Sequence, residues 1–226
     1  MISVVIPVHN GEAYLSEAIE SVLNQTFPPS QILVIDEGST DDTPVVAHAY
    51  ANKVRYVRQT QAGPGSARDL GIRLSQTEFI AFLDADDVWM PEKLSLQMRA
   101  FTEQPELGLV FCHMVQFRSP DLPADVAAQI QCDDAPQPSP LISCLLARRS
   151  AFEQVGLLRT DTLAEFVDWY LRARDAGLRM RFVEEVLVRR RLHASNLTRR
   201  NKGVRREYLQ FLKASLDRRR AGHADA

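Results

Sequence analysis

The apolar run Phe79-Ile80-Ala81-Phe82-Leu83 ends in Asp84-Ala85-Asp86-Asp87, which places three carboxylates within four residues. Neighbouring carboxylates repel one another unless a cation relieves them. The arrangement suggests a metal cation. Two further apolar runs end in polar residues in the same way. Ile2 to Ile6 leads into Pro7-Val8-His9-Asn10, and Ile32 to Ile35 leads into Asp36-Glu37-Gly38-Ser39. Taken singly, Asp36 and Glu37 beside a glycine also read as turn residues, and His9 as a hydrogen-bonded loop histidine.

These polar ends need a scaffold that brings them together. After Gly11, the residues Leu15, Ala18, Ile19, Val22 and Leu23 form one helical stripe. Thr43-Pro44 reads as an N-cap followed by proline at the first helical position, opening a helix through Tyr50. Val54 to Val57 is a strand, Ala67 to Leu74 a helix, Phe79 to Leu83 a strand, and Pro91 opens a helix through Phe101. This β-α-β-α order predicts an α/β fold with a mostly parallel central sheet flanked by helices, because parallel neighbours need crossover connections. Ligands of such sheets bind beyond the carboxyl ends of the strands, so the three polar loops are expected on one rim. The second half is less regular. Leu109 to His113 reads as a strand, residues 119–140 with five prolines as a long loop or lid, and Ser150 to Val155 and Ala164 to Ala176 as helices. Arg181 to Leu192 reads as one or two strands, and Gly203 to Arg220 as a terminal helix.

A chain of 226 residues supports one well-buried core. With 27 Lys and Arg against 29 Asp and Glu, net charge selects no class of partner. The distribution is uneven, since residues 189–220 hold twelve basic side chains and two acidic ones. Cys112, Cys132 and Cys144 form neither a C-x-x-C pair nor an even framework, which points to free thiols in a reducing compartment and away from zinc. No apolar run approaches the ~20 residues that span a bilayer. The expected location is the cytoplasm, with membrane contact only at the surface.

The segment from Ser3 to Thr43, the stretch Gly65-Ser66-Ala67-Arg68-Asp69-Leu70-Gly71-Ile72, the block from Phe79 to Leu94 and Leu145 to Gly156 (LLARRSAFEQVG) together resemble family 2 glycosyltransferases of the GT-A fold. The matches follow the family's order and cover most of the chain. The resemblance implies a single GT-A (Rossmann-like) domain with a C-terminal acceptor region and helix. Residues 1–113 would be its nucleotide-sugar-binding half, 114–198 its acceptor-side half and 199–226 a basic tail. It further implies transfer of a sugar, with inversion, from a nucleotide-diphosphate donor to an acceptor hydroxyl, in cell-surface polysaccharide or glycoconjugate synthesis. The acceptor itself, whether saccharide, lipid-linked saccharide or protein, is open.

Carried onto this chain, the resemblance assigns donor binding to Pro7, Val8, His9, Asn10, Asp36, Glu37, Arg68, Asp84 and Ala85. Asp86 matches the last acid of the family's D-x-D motif and becomes the leading ligand of Mn²⁺ or Mg²⁺, while Asp84 would face ribose or the metal's waters. His193, in Arg191-Leu192-His193-Ala194-Ser195-Asn196, matches a histidine that completes the metal shell or approaches the phosphates. It reads equally as a structural histidine. Glu37 stands where the family usually has Asp, which moves the base-contacting acceptor by about 1.5 Å. Arg68 would bind the diphosphate, fix the rim carboxylates, or stand as a helix-surface cation.

The acceptor side departs from the pattern. In Glu165-Phe166-Val167-Asp168-Trp169-Tyr170-Leu171-Arg172 a phenyl ring occupies the position of the family's base. Glu165 and Asp168, three apart on a helix, are the replacements, with Glu165 favoured and Asp168 open to pairing with Arg172. A donor-binding homologue without turnover, acting as a partner subunit, is the competing class. The tail residues Arg199, Arg200, Lys202, Arg205 and Arg206 precede a helix bearing Tyr208, Leu209, Phe211, Leu212 and Leu216. That helix either packs its apolar stripe on the domain or touches anionic lipid; no nucleic acid is expected.

Overall fold

Seven consecutive buried residues, Ile2–Val8, form β1 at the heart of the sheet in the computed structural model, which describes residues 1–196 and 203–224. A strand without polar alternation must be covered on both faces, as a central parallel strand is. β2 (Gln31–Asp36) and β4 (Phe79–Phe82) flank it in parallel, and β3 (Arg55–Arg58) lies parallel to β2. The intervening helices α1 (Leu15–Leu23), α2 (Thr43–His48) and α3 (Pro64–Leu74) make the crossovers. α3 lies very close to β1: a Cβ built on Gly71 would stand 2.3 Å from Val5 Cγ1, so glycine sets the approach there.

β5 (Val88–Trp89) and α4 (Lys93–Glu103) follow, then β6 (Leu109–Arg118), α5 (Ala124–Gln129), β7 (Gln137–Pro138), β8 (Leu146–Arg148) and α6 (Arg149–Val155). The chain continues through α7 (Glu165–Asp175), β9 (Met180–Leu192) and α8 (Val204–Ala224). Among the described residues the sheet order is β3-β2-β1-β4-β8-β6-β9-β5, with β7 beside β6. The longest ladders are parallel, as expected, including β6 with β9. The three-residue β8 runs antiparallel to both β4 and β6 and joins the two parallel parts into the sheet of one α/β domain. The return from β6 to β8 therefore needs no crossover, and residues 119–145 supply it.

Several details sharpen the sequence reading. The proline-rich segment carries α5 and β7, so it is not a bare loop. β9 is one strand, with a register shift against β6 near Cys112 and His113. Asp42, not Thr43, occupies the N-cap of α2, because the Thr43 hydroxyl instead accepts the Gly11 N–H at 2.8 Å and ties the first loop to the helix. Arg199, Arg200 and Lys202 of the basic tail lie outside the described residues. No helix among the described residues is long and apolar enough to cross a membrane.

Candidate functional site

The carboxyl ends of β1, β2 and β4 lie side by side, and the loops that leave them are bonded to one another. Pro7 and Val8 are still strand residues, buried and paired with Ile35 and Asp36, so they set the height of the rim. Beyond them, His9 is exposed with Nδ1 3.1 Å from the Glu37 carbonyl. Asn10 takes a left-handed backbone, φ 52°; its N–H donates to Ser39 Oγ and its Oδ1 accepts the Thr40 N–H. Asp36 is fully buried. Its Oδ1 accepts the Ser39 N–H and hydroxyl, and its other oxygen accepts the Tyr56 hydroxyl, whose pKa is pushed up to about 12 by burial and by that carboxylate. Asp36 thus shapes the loop, and Glu37 beside it is also buried.

Glu37 accepts a hydrogen bond from Gln59 Nε2 at 2.8 Å, and Gln61 Nε2 lies 3.2 Å from His9 Nε2. Gln59, Gln61 and Tyr56 escaped the sequence reading. The signal that finds them is positional, since Gln59 and Gln61 follow the end of β3 as the recognised loops follow β1, β2 and β4.

The three acids of the opening cluster have separate fates. Asp84 accepts from Arg68 Nη2 at 2.5 Å, and its side chain remains 37% exposed. Ala85 is half-buried against the first loop, its Cβ 3.8 Å from where a Cβ on Gly11 would lie. Asp86 Oδ2 stands 2.8 Å from His193 Nε2 and accepts from Asn196 Nδ2 at 3.0 Å, while Arg191 Nε donates to the Asp86 carbonyl. Asp87 is buried and accepts the Arg191 N–H at 3.1 Å; burial, with Asp86 and then Asp84 adding, raises its pKa well above the ordinary carboxylate value. Asp87 anchors the loop to β9, and Asp84 and Asp86 remain accessible.

Arg68 on α3 is buried and links the loop after β4 to α7, donating through Nη1 to Glu165 at the start of α7 as well as through Nη2 to Asp84. It fixes carboxylates. Two atoms of this cluster, Arg68 Nε and Glu165 Oε2, are buried without a hydrogen-bond partner among the described residues. Burial pushes the Glu165 carboxyl up in pKa, outweighing the opposing pull of the Arg68 guanidinium. Asp168 instead accepts from Arg172 Nε at 2.8 Å, and that arginine also donates to the carbonyls of Val155 and Leu157, tying α7 to the end of α6. Phe166 lies in the core, its ring centroid 6.1 Å from Trp169 and 6.4 Å from Phe111. Both positions are buried, but the helix turns Phe166 into the aromatic core and Glu165 toward Arg68.

Among the described residues, no three His, Cys, Asp or Glu side chains gather in a way that could enclose a metal by themselves. Asp86 and His193 offer one carboxylate and one imidazole, a pair of donors that suits a divalent cation whose remaining shell comes from a phosphorylated ligand and water.

A family model described as Glycosyl transferase family 2 matches residues 3–156. An uncharacterized glycosyltransferase of Rickettsia prowazekii (strain Madrid E) is 30% identical over 212 residues, covering 88% of this chain and 66% of that protein. One of Rickettsia felis is 40% identical over 114 residues, 50% of this chain and 18% of its own length. The chain thus spans about two thirds of the first relative and under a fifth of the second. Among solved structures, Staphylococcus aureus TarS in complex with UDP-GlcNAc superposes with a TM-score of 0.75 at 19% identity, covering 96% of this chain and 66% of that one. The mannosyltransferase PcManGT of Pyrobaculum calidifontis, in complex with GDP-Man and Mn²⁺, gives 0.68 at 18% identity over 86% and 58%. These likenesses establish the fold, and the sequence match establishes kinship: this chain belongs to glycosyl transferase family 2.

Proposed function

We propose that the chain transfers a sugar from a nucleotide-diphosphate donor to an acceptor hydroxyl with inversion, and that it serves cell-surface polysaccharide or glycoconjugate synthesis. The observation that carries this reading is the buried, unpartnered Glu165 Oε2, held through Arg68 beside Asp84 at the strand rim. A carboxylate oxygen without a donor is free to take a proton, which is what a general base requires. Residues 1–113 hold the donor. His9, Asn10 and Glu37 with Gln59 meet the nucleoside, while Asp36 keeps their loop in shape. Asp86 and His193 are the residues that would hold Mn²⁺ or Mg²⁺. When bound, the cation offsets the charge that grows on the departing diphosphate.

Residues 114–198 form the acceptor side. There Glu165 takes the acceptor's hydroxyl proton as the acceptor oxygen bonds to the anomeric carbon from the face opposite the nucleotide diphosphate, whose bond to that carbon breaks, so the centre inverts. Arg68 holds Glu165 against Asp84 and so couples the acceptor side to the donor side. The nucleotide-sugar complexes of TarS and PcManGT, and the Mn²⁺ in the latter, support the substrate class and the cation.

The test is a panel of nucleotide sugars with Mn²⁺ or Mg²⁺ and candidate acceptors, followed by nucleotide diphosphate release. Turnover with one donor is expected. Donor binding without release across the panel would instead make the chain a binding subunit. Asp86→Ala should abolish metal-dependent donor affinity, and equal affinity with and without Mn²⁺ would remove Asp86 from the metal site.

A further inference from the structure

The helix α8 meets the domain along one face only. Glu207 accepts from the Thr162 hydroxyl at 2.7 Å, Phe211 lies 5.7 Å from the Arg159 guanidinium, and Ser215 and Arg218 both donate to Asp175. Those contacts fall at positions 207, 211, 215 and 218, a regular helical spacing that defines the inner face. Leu209, Leu212 and Leu216 lie off it. They are 64%, 43% and 49% exposed and sit at i, i+3 and i+7, hence on one stripe. The other large apolar side chains exposed among the described residues, Met1, Phe27 and Val45, come from separate elements.

Charge accompanies the stripe. At 100° per residue, exposed Arg206, Lys213 and Arg220 run along one flank of the leucines, while Arg219 on the other stands 3.7 Å from Asp175 and is paired with the domain. The acids of the helix are Glu207, bonded to Thr162, and the exposed Asp217. We propose that this outer face of α8 docks on an anionic lipid bilayer, with the three leucines inserted among the headgroups and the flanking cations against their phosphates. A second copy is the weaker occupant. Two-fold pairing through the same face would bring Arg206, Lys213 and Arg220 of one chain against those of the other, and three leucines make a small apolar contact for a stable dimer.

The surface adjoins the acceptor side of the site. Thr162, bonded to Glu207, accepts the Ala164 N–H directly before Glu165. Under the transferase reading this would place a membrane-borne acceptor beside the base. That last step rests on the proposed function, whereas bilayer docking stands or falls without it.

The experiment is flotation of the whole chain with vesicles of phosphatidylcholine alone and of phosphatidylcholine with about one third phosphatidylglycerol, a strongly anionic leaflet. Each cation near such a leaflet raises partitioning about fivefold, so the anionic vesicles should win by at least about tenfold. Leu209→Ser, Leu212→Ser and Leu216→Ser together should lower partitioning by about 100-fold, and Arg206→Gln with Lys213→Gln should lower it by about tenfold. Circular dichroism should be unchanged, since these side chains face outward, and Leu209→Ser alone supplies the answer if the triple variant misfolds. Equal binding to both vesicles, no binding to either, or binding indifferent to the leucines would overturn the proposal. Leucine-dependent dimerisation without lipid, read by light scattering, would overturn it in favour of a second copy.

Discussion

Glu165→Gln separates the chemistry of α7 from its architecture, because the amide keeps the size of the side chain and an oxygen that can accept from Arg68. Arg68 also retains Asp84, so the cluster stays closed and donor affinity should change by less than about fivefold. The amide cannot take a proton. Loss of a general base lowers turnover by about 10²–10⁴, or ~3–5 kcal/mol on the barrier. The comparison variant is Asp168→Asn. That carboxylate is paired with Arg172, which fastens α7 to α6, so the substitution should lower stability by ~1–3 kcal/mol and leave kcat within about fivefold. The two acids are three residues apart and should fail in opposite assays.

The pH profile adds a second readout. As a base, Glu165 works ionised, and burial raises its pKa from the model-compound value of 4.5. Turnover should therefore fall as pH drops through an apparent pKa above the usual carboxylate range, and Glu165→Gln should lack that acid limb. Steady-state nucleotide diphosphate release across pH, together with thermal unfolding, measures both variants. Wild-type kcat in Glu165→Gln, an acid limb that persists in it, or a 100-fold loss in Asp168→Asn with unchanged folding would each refute the assignment.

Three further outcomes test the packing behind the site. Phe166→Asp places a carboxylate where the family pattern has one, yet it should destabilise by at least ~3–5 kcal/mol in denaturant unfolding without raising activity, since that ring packs against Trp169 and Phe111. Lys93 is buried, bonded to Gln97 and set over Trp89, with its pKa lowered by burial to about 8 from 10.5. Between those values the unfolded chain binds more protons than the native one, so stability rises with pH. From pH 7 to 10 this group contributes ~2–3 kcal/mol that Lys93→Met should not show, and parallel stability–pH curves for the two proteins would contradict the burial argument. Gly71→Ala should lower stability by ~1–3 kcal/mol despite its better helix propensity, because the new methyl meets Val5; a raised melting temperature would show that α3 can move off β1.

What could be read in the sequence follows from where burial leaves a signature. β1, β2 and β4 are covered on both faces, so their runs are almost wholly apolar and their ends are marked by the first polar residues, which are the site loops. β8 carries no such mark. It is three residues long, and its place between β4 and β6 is decided by partners in register far along the chain. On α7 the decisive pattern is present in the sequence but hidden by alignment: Phe166, Trp169 and Ala173 fall at i, i+3 and i+7 and are all buried. Helical period alone thus sends Phe166 to the core and leaves Glu165 about 100° around the helix, toward Arg68.

On α8 the same reasoning meets its limit. Tyr208, Phe211 and Ser215 form one stripe and Leu209, Leu212 and Leu216 another, and period does not say which one docks. The choice falls to polar groups elsewhere in the chain. Asp175 holds Ser215 and Arg218, and Thr162 holds Glu207, so the aromatic stripe turns inward and the leucines remain outside. A surface that depends on distant hydrogen bonds to become exposed cannot be read from local pattern, whereas a rim built where buried strands end can.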